Sequence, residues 1–265
     1  MSPSENRSRP LAIAAASSGD VAPPWSSLPM DLVGLLGWRV LAGDLLDYVR
    51  FRAVCTHWRS STVCPRGRGI IDPRFHPCRW MILPDGHSLH PDDNKKRFFN
   101  LSTGSFARVH LPLLTDHRVM VSVDGLLLLR SDRVDAATIL LLHPFTGDTV
   151  KLPPLMPLLE DYWAMIPGGG RYRFVPHTFV ASLSVSADGT VVVMIVHQYM
   201  TCVFFATTND ERWSVSSWNL TPLSRPISLQ GKLYILAPHA TLSSEQVILQ
   251  LDPHPAMSMP PGRLL

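Results

Sequence analysis

The chain has 265 residues, 46% of them hydrophobic and 17% charged, which supplies enough apolar material for a sizeable core and excludes a highly charged disordered chain. The 24 basic and 21 acidic residues leave a formal charge of +3, and the basic residues are scattered, so no nucleic-acid partner is predicted. The longest apolar runs, 126–129, 139–142 and 191–196, are much shorter than the ~18 residues that a membrane-spanning helix needs.

Residues 1–24 are rich in Ser, Ala and Pro without periodicity, which predicts a disordered leader. Arg7 and Arg9 precede the apolar stretch 11–16, which is shorter than the ~7 to 15 residues of a secretory signal core. The four cysteines are too few for a disulfide framework. We therefore expect the protein in a reducing compartment, the cytoplasm or the nucleus.

Residues 25–62 are predicted to form a small helical module whose first helix starts near Pro29, because proline suits the first turn of a helix. Apolar side chains then recur at helical spacing, at Leu32, Leu35 and Leu36. Gly34 and Gly37 weaken this helix, since glycine is a poor helix former.

A second helix is predicted from Asp44, a favourable N-cap residue, to Trp58. Its apolar side chains divide into two arcs at 100° per residue. One arc holds Leu45, Leu46, Val49 and Ala53, and the other holds Tyr48, Phe51, Val54, Cys55 and Trp58. A module of this size cannot bury two apolar faces against its own short helices. The second face therefore predicts cover from the following domain or another protein, while a module covered by its own chain stays an alternative.

After Pro65 the sequence changes to short runs rich in β-branched and aromatic residues, separated by Gly, Pro, Asp and Asn, as in β-hairpins. The predicted strands are 98–100, 108–111, 119–123, 126–130, 138–143, 149–152, 179–185, 190–197, 202–207 and 232–237.

These strands contain an internal repeat with a period of 43 residues. Residues 99–104 and 142–147 both end in Thr-Gly, and a Leu-Pro step follows each copy. Glycine closes a tight turn because it accepts a positive φ, and proline ends a strand because it lacks a donor. Residues 204–213 are predicted to be a third, degenerate copy. The period matches one β-propeller blade of about 40 to 45 residues, and a β-sandwich with similar hairpins is the alternative fold.

Two segments of the helical module carry distinctive motifs. Residues 25–32 read Trp-Ser-Ser-Leu-Pro-Met-Asp-Leu, and residues 50–59 read Arg-Phe-Arg-Ala-Val-Cys-Thr-His-Trp-Arg. They resemble the opening Leu-Pro-x-Asp-Leu and the closing Arg-x-Arg-x-Val-Cys-x-x-Trp-Arg of an F-box, the adaptor-binding module of ubiquitin ligase substrate receptors. The remaining chain resembles the C-terminal, kelch-like β-propeller region of the KIB type found in plant F-box proteins.

The resemblance implies an α+β multidomain fold. A three-helix F-box at 25–62 is expected to precede an all-β, β-propeller-like recognition domain at 70–252 and a Pro-rich, strandless tail at 253–265. The residues from Ile70 onward provide about four blades at the observed period, fewer than the family usually has, so a shortened and incomplete propeller is expected.

The resemblance also implies a function, that of a non-catalytic substrate receptor in an SCF-type (Skp-cullin-F-box) ubiquitin ligase. The F-box would dock on a Skp-type adaptor, which links it to cullin and RING subunits, and the β domain would recruit an unknown protein target. The matched positions expected to hold the adaptor are Leu28, Pro29, Leu32, Val54 and Trp58. The alternative is an all-β interaction module whose degenerate F-box does not bind the adaptor.

Other chemistry has little support in the sequence. The Cys and His residues of 55–57 and 76–78, with Cys64, lack the pair spacing of a zinc site. Residues 168–170 are three glycines without the Lys-Ser/Thr of a phosphate loop. A β-propeller hydrolase would need a nucleophile motif, and none accompanies the histidines. We therefore predict no catalytic residue, no metal site and no cofactor.

Overall fold

The computed structural model places most of the helical module and the β region. It describes residues 25–84, 95–132, 138–155, 157–160, 179–197, 202–216, 225–229, 232–238, 246–251 and 263–264. The predicted leader at 1–24, the three glycines at 168–170 and most of the predicted tail lie outside these residues.

Three helices form the N-terminal module after a short 3₁₀ turn at Trp25–Ser27. They are α1 (Met30–Gly43), α2 (Leu45–Arg52) and α3 (Thr56–Ser60). None of the helices in the part of the chain that the structure describes is long and apolar enough to cross a membrane.

The continuous second helix predicted from Asp44 to Trp58 is wrong, because the chain bends at 53–55 and starts a new helix. Asp44 caps α2 as predicted, since its side chain accepts hydrogen bonds from the backbone N–H groups of the first turn. Cys55 caps α3 in the same way, with its sulfur 3.4 Å from the backbone nitrogen of Trp58. Sulfur is a weak acceptor, and cysteine gives no cap signal in a sequence.

Fifteen strands are described after the module. They are β1 (Trp80–Ile82), β2 (Lys95–Asn100), β3 (Phe106–His110), β4 (His117–Val123), β5 (Leu126–Ser131), β6 (Ile139–Leu142), β7 (Thr149–Leu152), β8 (Phe179–Val185), β9 (Val191–His197), β10 (Val203–Thr207), β11 (Ser214–Val215), β12 (Arg225–Leu229), β13 (Lys232–Pro238), β14 (Gln246–Leu251) and β15 (Arg263–Leu264).

The strands form four antiparallel sheets, and each sheet contains strands that follow one another in the chain. The first sheet has the order β1-β2-β3, the second β4-β5-β6-β7, the third β8-β9-β10-β11 and the fourth β12-β13-β14-β15. Consecutive sheets pack on one another through separate apolar clusters. Four sheets packed in series differ from a two-layer sandwich and match the arrangement of propeller blades.

The central sheets explain the uninterrupted apolar runs in the sequence. In β5, Leu127 and Leu129 pack toward the first sheet, whereas Leu126 and Leu128 pack toward the third. All four side chains are fully buried. Successive side chains of a strand point to opposite faces, so a sheet covered on both faces needs apolar residues at every position.

The turn residues adopt the conformations that the repeat predicts. Gly104 and Gly147, the glycines of the two Thr-Gly steps, have φ of 69° and 78°. Asp124 and Gly125 both have positive φ, which fits a tight turn between β4 and β5. The chemistry of these turns therefore follows from the sequence.

Several strands escape prediction. The strands β1, β11, β12, β14 and β15 were not predicted from the sequence pattern. The description of the tail as strandless is wrong at Arg263–Leu264, which pair with β14. A two-residue strand gives no alternation to detect, and its identity depends on the strand beside it.

Gly125 provides a test of the packing between the sheets and residues 65–79, the linker that joins the helical module to the first sheet. A Cβ at this position would overlap the Pro77 carbonyl, and the φ of 80° already disfavours a side chain. We expect Gly125→Ala to destabilise the fold by about 2 kcal/mol or more, seen as a lower Tm in circular dichroism. Gly43→Ala is the control, because a Cβ there meets no atom within 4 Å. Equal Tm values for both variants would contradict this packing.

Candidate protein-binding surface

The helical module has a small core of its own on one side. Val33, Gly37 and Leu41 form a buried stripe along α1 at a spacing of four residues. Leu41 joins Tyr48 and Phe75 in a cluster, and the Tyr48 hydroxyl donates to the Val63 carbonyl at 2.7 Å. This side of the module therefore faces its own chain.

Gly37 has a packing role that the sequence analysis missed. A Cβ at this position would lie 2.8 Å from the Thr62 methyl group and 3.4 Å from the Tyr48 ring. The residue that weakens α1 by propensity thus lets the helix approach the segment that follows α3. Helix propensity gives way here to close packing.

The opposite side of the module is apolar and exposed. Thirteen large hydrophobic side chains are exposed among the residues that the structure describes, and seven of them lie in this module. The seven are Trp25, Met30, Leu32, Leu35, Leu36, Val49 and Val54. Leu35 is 66% exposed and Leu32 is 45% exposed, on the side of α1 that faces away from the buried stripe. Leu32, Leu35 and Leu36 are neighbours on the helix surface, and adjacent exposed apolar side chains mark an interaction site more often than isolated ones do.

Two hydrogen bonds hold the segment before α1 against α3. The ring nitrogen Nε2 of His57 lies 2.7 Å from the Leu28 carbonyl oxygen. The Trp58 indole N–H donates to the Trp25 carbonyl at 3.2 Å, and the Trp58 ring packs on Phe51 with centroids 4.3 Å apart. The two ends of the motif that carries the resemblance therefore meet in space.

The five residues predicted to hold an adaptor differ in burial. Leu28 and Trp58 are half-buried, so neither is enclosed by its own chain. Pro29 and Leu32 are exposed at the start of α1. Val54 lies in the bend between α2 and α3, where its side chain is 61% exposed. All five can offer surface to another protein.

Asp44 joins this module to the first sheet. Its Oδ1 accepts from the backbone N–H of Leu46 at 2.8 Å and of Asp47 at 3.2 Å, which caps α2. Its Oδ2 accepts from the Trp80 indole N–H at 2.7 Å and from the Asn100 amide at 2.8 Å. A buried carboxylate is tolerated because four donors satisfy it.

The repeated turns of the first two sheets have the same internal hydrogen bonds. Asn100 accepts from the backbone N–H of Ser102 and Thr103 through its side-chain oxygen. His143 occupies the equivalent position 43 residues later, and its Nδ1 accepts from the backbone N–H of Phe145 and Thr146. The first polar residue of each copy thus caps its own turn.

Both capping residues also reach toward the N-terminal part of the chain. The Asn100 amide donates to Asp44, and His143 Nε2 lies 3.0 Å from the Phe75 carbonyl oxygen. Since Nδ1 accepts, Nε2 carries the proton and donates. Burial lowers the pKa of His143, and this effect outweighs the hydrogen bond to Phe75, which raises the pKa. The turns that the repeat marks are therefore where the module attaches.

The linker between the module and the sheets is held at the second turn as well. The Asp148 carboxylate accepts from the backbone N–H groups of Gly67 and Gly69 at 2.9 Å. The Arg79 guanidinium donates to the Gly43 carbonyl at 2.6 Å and satisfies the end of α1. Linker, helices and sheets are thus tied together by polar contacts as well as by the apolar core.

The chemistry of a metal site is missing from the part of the chain that the structure describes, where no group of three or more His, Cys, Asp and Glu side chains could hold a metal ion. None of the four cysteines forms a disulfide bond. Cys78 is near His76 in sequence, and burial raises the pKa of its thiol, which disfavours the reactive thiolate.

Comparison with known protein families identifies the β region. Residues 98–261 match the model of the KIB1-4 β-propeller family. The chain belongs to this family. The match covers the second and third sheets, the fourth sheet except β15, and the part of the first sheet formed by β3 and the second half of β2. The predicted propeller resemblance is confirmed, and the sandwich alternative is excluded.

Two curated relatives from Arabidopsis thaliana are similar to parts of the chain. The F-box protein At3g56470 is 30% identical over 129 residues, which cover 49% of this chain and 30% of the relative. The putative F-box protein At1g65770 is 32% identical over 87 residues, which cover 33% of this chain and 22% of the relative. The matched parts thus span less than a third of either relative, and the predicted resemblance to plant F-box proteins is confirmed.

The His143 turn predicts a pH-dependent stability. A histidine whose pKa is lower when folded than its unfolded value of about 6.5 lets the unfolded chain bind more protons below that pH. We therefore expect Tm to fall as the pH drops from 7 to 5. His143→Asn should reduce this fall, because asparagine makes the same turn at position 100 and does not titrate. His110→Asn, at an exposed strand position, is the control. An unchanged pH dependence in His143→Asn would refute this role.

Asp44 provides a second test. Asp44→Asn keeps an oxygen to cap α2 but presents an amide N–H to the indole of Trp80 and the amide of Asn100, which are donors. We expect a loss of about 1 to 3 kcal/mol in unfolding free energy, measured by urea denaturation. Asp47→Asn is a matched control, because Asp47 is exposed and its ion pair is with the exposed Arg50 side chain. A loss no larger than that of Asp47→Asn would contradict the junction.

Proposed function

We propose that the chain is a substrate-receptor subunit of an SCF-type ubiquitin ligase. The helical module docks on a Skp-type adaptor, which connects it to cullin and RING subunits, and the propeller region recruits the protein to be modified. The receptor contributes binding and positioning, and other subunits carry out the chemistry. The names of the two relatives support the general role.

The exposed apolar side of α1 is the observation that carries this proposal. The opposite side of the same helix is already buried against the chain, so the exposed leucines have no structural need to be apolar. Burying a leucine or valine side chain contributes about 1.5 to 3 kcal/mol, so a few of them suffice to anchor an interface.

Trp58 and Leu28 are half-buried where α3 meets the segment before α1. Two hydrogen bonds hold that segment against α3, and they thereby fix the position of Pro29 and Leu32 at the start of α1. A pre-organised surface loses less conformational entropy on binding. We assign the adaptor contact to Leu28, Pro29, Leu32, Val54 and Trp58 on these grounds.

Cysteines that form no disulfide bond support the cytoplasm or the nucleus as the site of action. Ubiquitin ligases of this class would meet their targets there.

Leu32→Glu combined with Val54→Glu tests the adaptor contact. Two carboxylates placed in an apolar interface would lose their hydration, so we expect capture of a co-expressed Skp-type adaptor to fall at least about tenfold in a quantitative pull-down. The folded chain should keep its Tm, because both side chains are already exposed.

Val215→Glu serves as the matched control for this experiment. Its side chain is 43% exposed, close to the 45% of Leu32, but it lies on β11 of the third sheet. Adaptor capture at the parental level by the double variant would refute the proposal and favour an interaction module with a degenerate F-box.

A further inference from the structure

The first sheet has one covered and one open face. Trp80, Phe98 and Asn100 are buried on the side of the second sheet. The alternate residues of the same strands point to the other side and are exposed or half-buried. This open face carries Met81, Arg97, Phe99, Phe106, Arg108 and His110. We call it the basic-aromatic face.

The register of β2 and β3 places two arginines and two phenylalanines directly opposite one another on this face. Arg97 is paired with Arg108. Phe99 is paired with Phe106, and their rings lie 5.0 Å apart. Like charges at directly opposite positions of an antiparallel pair destabilise it. Arg97 and Arg108 therefore repel each other, and a neutral residue at either position would remove this repulsion.

Within the described strands of the first sheet, no acidic side chain offsets this repulsion. The strands β1, β2 and β3 contain no Asp or Glu. Arg97 and Arg108 are exposed, and neither takes part in the ion pairs found among the described residues. The arginines are thus available to an external anion.

We propose that the basic-aromatic face docks an acidic segment of a partner protein. Carboxylates of the segment pair with Arg97 and Arg108, and an apolar side chain of the segment covers Phe106, which is 65% exposed. Bidentate pairing with a carboxylate suits the planar guanidinium group. The inference deepens the proposed function and rests on it in one respect, since the segment would belong to the recruited protein.

A nucleic acid fits this face less well. Single strands bind to flat aromatic platforms on which bases stack, within a groove that tracks the phosphates. Here the two phenyl rings pack on each other at 46°, so they offer an apolar ridge for a side chain. The formal charge of the whole chain is only +3.

Fluorescence anisotropy on the full chain tests the proposal. The probe is a labelled peptide of alternating glutamate and leucine, and the comparison is a peptide of alternating lysine and leucine. We expect the acidic peptide alone to bind, and its affinity to fall as salt is raised, because exposed ion pairs are screened. Preference for the lysine peptide, equal binding of both peptides or tighter binding of an oligothymidylate would overturn the proposal.

The decisive variant is Arg97→Gln/Arg108→Gln. Two exposed ion pairs of roughly 0.5 kcal/mol each predict about a fivefold loss of affinity. The Tm should stay the same or rise, because the substitution removes a like-charge pair. Lost binding without lost stability cannot result from misfolding. Arg66→Gln/Arg68→Gln changes the same charge at two other exposed positions and should bind as the parent does. Equal affinity of all three proteins would refute the proposal.

Two further measurements separate the possible failures. The sequence between β1 and β2 contains Asp85, Asp92 and Asp93, which lie outside the described residues. If only a variant with all three changed to Asn binds the acidic peptide, the chain covers its own face and the proposal is wrong. Adaptor capture should be parental in Arg97→Gln/Arg108→Gln, and peptide binding should be parental in Leu32→Glu/Val54→Glu. The proposals for the basic-aromatic face and for the adaptor contact can therefore be refuted independently of each other.

Discussion

The Asp44 carboxylate is the contact on which the arrangement of helices and sheets depends. One oxygen caps α2 through Leu46 and Asp47, and the other accepts from Trp80 and Asn100 of the first sheet. The start of a helix and the position of a sheet are thus fixed by a single side chain. Its burial is stable only while all four donors are in place, which couples the formation of the module to that of the β region.

The repeated turns contact the N-terminal part of the chain at two equivalent positions. The turns that join β2 to β3 and β6 to β7 are each capped by one polar side chain, and that side chain also makes a second contact. Asn100 points its remaining group at Asp44, and His143 points its own at the linker carbonyl of Phe75. The third copy keeps a weaker form of the cap, in which the Thr207 hydroxyl accepts from the backbone N–H of Asn209. A turn motif that serves the propeller thereby also holds the helical module.

Much of the fold follows from patterns within a few residues of each other. The bounds of β7 and β8 are as predicted, and the turn glycines have the positive φ that the repeat requires. The break at 53–55 escaped prediction because Cys55 is an unusual cap, and β14 escaped because its strand status depends on pairing with β13. Helical spacing predicted the apolar positions of α1, but the exposure of Leu32 was expected only from the resemblance to an F-box. The Asp44 contacts could not be predicted, because their partners lie 36 and 56 residues away in the chain.

The stretch from Pro65 to Trp80 has a mechanical consequence for the molecule. Its backbone is held by Asp148, its carbonyl at Phe75 is held by His143, and a Cβ on the facing Gly125 would already collide with it. Because the linker is held at several points, we expect it to keep the helical module in one orientation relative to the sheets. A protein seated on α1 would keep a constant angle and reach relative to one seated on the sheets. For the receptor function proposed above, this fixed geometry would determine which lysines of a recruited protein lie within reach of modification.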